Sequence, residues 1–244
     1  MKLLILAAIV ICISACQSIK PTSASILENC LQAHGYNHFM EFAIDFTFRG
    51  KHYSLKRQGG KFSYTRRFSD STGVVMDELS NAGFRRLLSG EQHFVEEKQQ
   101  QRLANSLNSV AYFALLPFPL ADPAVQKRLL GETTIHGKSF WELEVSFKEE
   151  GGGEDFEDVF IYWIDKEDFL LKYLAYRFHT NGGGTRFREA FNFRENNGIL
   201  LSDYRNFKSN NVDIKIADYE DAFQNGQLTH VSDILLENLV VTKK

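Results

Sequence analysis

Asp158, His179, Arg186, Arg188 and Glu189 are the residues whose types and spacing come nearest to a chemical site in this chain. Period-two alternation places Tyr173, Ala175, Arg177 and His179 on one face of one strand. It places Arg186, Arg188, Ala190, Asn192 and Arg194 on one face of the next, with Phe187, Glu189, Phe191 and Phe193 opposite. A hairpin across 181–184 would bring His179 towards Arg186, with Asp158 in the loop before a neighbouring strand. Arginine presents a planar fork that matches phosphate or carboxylate, so this polar cluster reads as a site for an anionic head group. The spacing favours the plainer alternative, cross-strand ion pairs on a wet sheet face, worth ~0.2–1 kcal/mol each.

Other candidates carry less. Gly151-Gly152-Gly153 and Gly182-Gly183-Gly184 do not sit between a strand and a helix, as phosphate-cradling loops require, and read as hairpin loops. Glu154, Asp155, Glu157 and Asp158 supply oxygen ligands without the alternation of an ordered Ca²⁺ loop. His34 and His38 straddle Gly35, where a helix should already have ended, and no cysteine completes a zinc set. Lys56, Lys138, Lys148 and Lys172 have polar or turn neighbours, unlike a Schiff-base lysine in an apolar pocket. No Gly-x-Ser-x-Gly elbow is present. No catalytic residue, metal or cofactor is therefore assigned.

The elements that must position these residues are mostly strands. Ser25, with Glu28 three positions on, has the spacing of a capping box and opens a helix over 26–34, whose apolar stripe is Ile26, Leu27, Cys30 and Leu31. From 40 the period becomes two: strands over 42–48, 52–58, 61–68, 74–79 and 84–88 follow each other through tight turns, the pattern of an antiparallel meander. Leu103, Leu107, Val110, Ala111, Ala114 and Leu115 mark a helix over 97–115, ended by Pro117 and Pro119. Asp122-Pro123-Ala124-Val125 reads as a short helical turn. Strands resume near 133, then over 141–147, 159–164, 171–179, 186–194 and 199–207, the last two joined by the hairpin signal Asn196-Asn197-Gly198. Segments 213–217 and 231–241 complete a set of about eleven strands.

Composition agrees with this. The 244 residues include 21 Phe, 9 Tyr and 2 Trp beside only 4 Pro, which suits pleated, half-buried strands. The formal charge is −3, which argues against a nucleic-acid partner bound through phosphate neutralisation. Hydrophobic residues at 43% and charged residues at 24% exclude wholesale disorder.

The first residues read as an address. Met1-Lys2 precedes an uncharged apolar run from Leu3 to Ile13, too short for the roughly 20 residues of a membrane span, so 1–15 is expected to be a signal peptide. Ile13-Ser14-Ala15-Cys16 resembles the bacterial lipobox, which implies cleavage before Cys16 and lipidation of its sulfur. Residues 16–24 then form the lipidated cysteine and its tether, and 25–244 a single half-barrel domain. Acyl chains at ~0.8 kcal/mol per buried methylene would moor the protein to a membrane. Gln17 after the cysteine, by the same resemblance, points to the outer membrane of a bacterial envelope. Cys30 is left without a disulfide partner and reads as a packed thiol.

The layout as a whole is similar to the LolA/LolB-type fold of lipoprotein carriers. More locally, 107–117, 151–159 and 182–190 resemble a bacterial envelope lipoprotein family of unknown function. The superfamily resemblance implies a mainly β (α+β) architecture: one strongly curved, incomplete antiparallel β-barrel with an N-terminal helix and a central helical insertion. A curved sheet lined by aromatic residues leaves an apolar concavity. Its expected lining is Phe46, Phe48, Trp141, Leu143, Val145, Phe147, Tyr162 and Tyr176. The leading reading is a membrane-anchored, non-enzymatic protein that binds a lipid, acyl chain or lipopeptide. The alternatives are an envelope enzyme using the Asp158/His179/Arg186 region on a polar substrate, and an interaction module whose barrel is filled by Leu107, Val110 and Leu115. Oligomeric state is open.

Overall fold

The computed structural model describes residues 20–38, 41–58, 60–148, 158–178, 183–211 and 213–243. The expected signal peptide, Cys16, the acidic residues 154–157, His179 and the Gly151-Gly152-Gly153 run lie outside the described residues.

Helix α1 (Ser23–Ala33) starts earlier than the sequence suggests. Thr22 is the N-cap: its Oγ1 accepts from the Ser25 N–H at 3.1 Å, and Ser25 Oγ accepts from the Thr22 N–H at 2.9 Å. The capping box is thus Thr22/Ser25 rather than Ser25/Glu28. Glu28 instead accepts from Gln32 Nε2 on the next turn. The expected stripe of Ile26, Leu27, Cys30 and Leu31 is buried.

Strands β1 (Glu41–Phe48), β2 (Lys51–Gln58), β3 (Lys61–Asp70), β4 (Gly73–Ser80), β5 (Gly83–Leu88) and β6 (Glu91–His93) form a meander. Helix α2 (Glu97–Ala114) follows, and Pro117 and Pro119 lie in a tight turn just past its end. A second meander runs through β7 (Val125–Ile135), β8 (Lys138–Phe147), β9 (Val159–Asp165), β10 (Leu171–Phe178), β11 (Gly184–Asn196) and β12 (Ile199–Ser209). Helix α3 (Tyr219–Gln224), β13 (Leu228–Ile234) and β14 (Glu237–Lys243) close the chain.

Among the described residues, the expected single sheet of about eleven strands is two antiparallel sheets of seven, ordered β14-β1-β2-β3-β4-β5-β6 and β13-β12-β11-β10-β9-β8-β7. Neither is closed on itself. The single strand expected over 231–241 is two strands in different sheets, because the chain turns a corner at Leu235-Leu236. The Leu236 N–H donates to Asp203 Oδ1 at 2.8 Å there, and Arg194 grips the same carboxylate at 2.7 Å. Segment 213–217 is not a strand but leads into α3. Asp122 to Ala124 is a turn that feeds β7 rather than the start of a helix. Asn197-Gly198, both at positive φ, makes the expected tight hairpin between β11 and β12.

One apolar core joins the facing sides of both sheets with α1 and α2: Phe42, Ile44, Phe46 and Leu55 meet Leu143, Val145, Phe160, Tyr162, Ile164 and Leu174 through Leu107 and Ala111. The second sheet also buries its other face. There Ile161, Trp163, Ala175 and Phe187 lie under Tyr219 and Ala222 of α3. This explains why β9 is apolar almost throughout: both of its faces are covered.

Candidate functional site

Between α2 and the facing sheets lies a cavity of about 180 Å³. Its apolar wall is Phe48 at the end of β1, Val110, Phe113 and Ala114 on α2, and Ile234 and Leu236 at the corner between the sheets. Its polar wall is Arg49, Ser109, Arg188, Ser202, Tyr204 and Asn206, the last four from neighbouring strands β11 and β12. Helical and strand periodicities bring these residues together: Val110, Phe113 and Ala114 share one face of α2, and Ser202, Tyr204 and Asn206 share one face of β12.

Helix α2 is wall and plug at once. Leu107 and the following Leu115 are fully buried and Val110 half-buried, so the helix packs its apolar face into the core that the sheets share. It is tied to both. Arg66 on β3 donates Nη1 to Ser106 Oγ at 3.0 Å, and Arg66 is itself fixed by Asp77, which also holds Arg86 at 2.6 Å. On the other side the Tyr112 and Tyr162 hydroxyls share a hydrogen bond of 2.7 Å. Its remaining buried side chains are mostly small, Ala104, Ala111 and Ala114.

Arg188 is the unusual group. It is 8% exposed and lines the cavity. Its guanidinium lies 3.6 Å from the centroid of the Phe113 ring, and Nη2 donates to the Tyr176 hydroxyl at 2.8 Å. Nε is buried without a partner, and so is Asn206 Oδ1. The described ion pairs engage Arg66, Arg85, Arg86, Arg128, Arg194 and Arg205, never Arg188. The nearby phenols do not balance it. Burial pushes Tyr204 up to about 12 and raises Tyr112 and Tyr162 as well, so all three stay neutral near pH 7.

The expected lining residues share one face of their sheets. Phe46, Leu143, Val145, Tyr162 and Tyr176 are buried in the common core, and Phe48, Trp141 and Phe147 are partly buried against it. Of these, Phe48 lines the cavity. Of the expected polar cluster, Asp158, Arg186, Arg188 and Glu189 are among the described residues. Glu189, on the opposite face from Arg188, pairs with Arg205 at 3.0 Å. Arg186 donates Nη1 to the Thr185 carbonyl and lies over the Phe178 ring. Asp158 is buried. The lysines weighed as Schiff-base formers, Lys56, Lys138, Lys148 and Lys172, are exposed or half-exposed.

Phe113, Ser202, Tyr204, Asn206, Ile234 and Leu236 were not singled out from sequence. Their signal lies in pairings between segments that can be more than a hundred residues apart, which periodicity does not report. Among the described residues no group of three or more His, Cys, Asp or Glu side chains is placed to share a metal ion. No described helix is long and apolar enough to cross a membrane.

Comparison with known proteins gives one family match. The model of a family of unknown function (DUF6503) matches residues 2–238. No curated protein matches the chain. Among solved structures, a LolA superfamily protein from Nitrosomonas europaea aligns over 91% of this chain and 92% of its own, with 11% identity and a TM-score of 0.47. A DUF1329 family protein from Desulfovibrio piger aligns over 83% and 99%, with 12% identity and a TM-score of 0.40.

Proposed function

Since the chain belongs to the DUF6503 family, whose function is unknown, we propose a role from its own geometry: it is a binding protein that holds an amphipathic ligand between α2 and the two sheets. The observation that carries this reading is the cavity, where one wall is apolar and the other polar. A ligand with an oily end and a polar end satisfies both walls, whereas a wholly polar substrate would leave Phe48, Val110, Phe113, Ile234 and Leu236 against water or charge.

The cavity of about 180 Å³ is smaller than the roughly 300–1,000 Å³ of ordinary ligand sites. A full acyl chain therefore requires α2 to move outward. The small buried side chains of α2 favour this, since less apolar area is exposed when the helix shifts. Cys16, as a lipid anchor, would keep the protein on the bacterial envelope, with the outer membrane as the expected location.

Photo-cross-linking tests the proposal. A fatty acid carrying a diazirine in its chain is added to the purified protein, illuminated, and the adducts are mapped by peptide mass spectrometry. The expected adducts fall on peptides containing Val110, Phe113, Ile234 or Leu236. Adducts confined to exposed apolar residues such as Phe94 would count against it.

A further inference from the structure

Among the described residues one other arginine is as deeply buried as Arg188, and it has a countercharge. Arg66, 4% exposed, meets Asp77 at 2.6 Å. Arg188, 8% exposed, meets none among the described ion pairs. A guanidinium carries five N–H donors. Arg188 makes one hydrogen bond, to a neutral phenol, and its Nε finds no partner. Burying a charge without compensation is costly, and proteins rarely keep such a group unless something pairs with it. What stands in for the missing anion is the π-face of Phe113, 3.6 Å away and carried by α2, the element that walls the cavity. Asn206 Oδ1, another buried atom without a partner, belongs to the same polar wall.

We propose that the cavity is the closed form of a carboxylate site: Arg188 receives the anionic end of a carboxylate amphiphile, and Phe113 shields the guanidinium until that ligand arrives. The inference rests on the reading of the cavity as an amphiphile site and adds the chemistry of the ligand's head. A single guanidinium fork matches one carboxylate in charge and in geometry. A phosphate dianion carries a second charge, and the other cation of this wall, Arg49, is exposed rather than buried with Arg188. The apolar wall then takes the chain, and Asn206 Oδ1 takes a hydroxyl or amide N–H next to the carboxylate. Because Phe113 is on α2, the movement that admits the chain also uncovers the charge, so head and tail recognition are coupled through one helix.

The test is calorimetric titration of the full chain, solubilised in a neutral maltoside, with three short probes that suit the small cavity: hexanoate, hexanol and hexyl phosphate. The expected result is that hexanoate binds at least tenfold more tightly than the other two. Arg188→Met should abolish that preference, so that hexanoate and hexanol bind the variant alike. Arg188→Lys, which keeps the charge without the fork, should weaken hexanoate several-fold and is the second variant should Arg188→Met fail to fold. Saturating hexanoate should raise the Tm of the native chain more than that of either variant. Equal binding of hexanoate and hexanol would overturn the carboxylate assignment and leave the amphiphile reading standing. A preference for hexyl phosphate would overturn it too, as would a hexanoate preference that survives in the variants. Binding of none of the probes would overturn both.

Discussion

Tyr112 and Tyr162 show how a single pair of atoms joins two elements here. Their hydroxyls are 2.7 Å apart, and burial raises both groups, so each keeps its proton through the neutral range. One donates and the other accepts. Tyr112→Phe would remove this bond and leave the Tyr162 hydroxyl unsatisfied inside the core. The expected cost is about 1–3 kcal/mol, read as a lower midpoint in thermal or urea unfolding. An unchanged midpoint would mean that the bond does not secure α2. The apolar spacing of α2 was legible in sequence; this bond was not, because Tyr162 lies fifty residues away on β9. Arg188 shows the same limit. Its strand and face could be read from alternation, but its lack of a carboxylate depends on Glu189 pointing the other way to Arg205.

At the scale of elements, α1 is fastened by its last turn. His34 Nδ1 donates to the Leu200 carbonyl at 3.0 Å, and Nε2 accepts from the Leu171 N–H at 3.2 Å, so the ring must be neutral to make both contacts. Gly35 follows at φ +88°, and a Cβ there would stand 1.8 Å from the Gly198 carbonyl oxygen, so glycine is required for the close approach. Burial, with Lys172 adding to it against the pull of the Leu200 carbonyl, lowers the His34 pKa to about 4. The unfolded value lies near 6.5, so the unfolded chain binds the extra proton between these limits. Stability from this group is full above about pH 6.5 and is lost as pH falls to about 4, a change of up to about 3 kcal/mol. Urea titrations across that window should show the loss in the native chain and a smaller one in His34→Gln; identical slopes would contradict it. The stripe of α1 was readable from its spacing. Helix α3 was not: its six residues have little intrinsic helicity, and they are held by Tyr219, whose hydroxyl meets Thr185 and the Ser209 N–H.

At the scale of the whole molecule, the meanders were visible in period-two runs, yet their division into two sheets was not. The corner at Leu235-Leu236 carries no glycine or proline; its N–H is satisfied by Asp203, thirty-three residues earlier, so no local signal marks it. That corner also supplies Leu236 to the cavity, so the fold places an apolar wall where its two sheets meet and a helix across from it. Under the proposed function this enclosure takes one amphiphile per chain. Native mass spectrometry of the intact protein, gently extracted from its own membranes, tests it most directly. The predicted spectrum shows a single carboxylate lipid bound non-covalently to each chain, released on collisional activation and restored by adding fatty acid. A bare chain mass that takes up no added fatty acid would contradict the account.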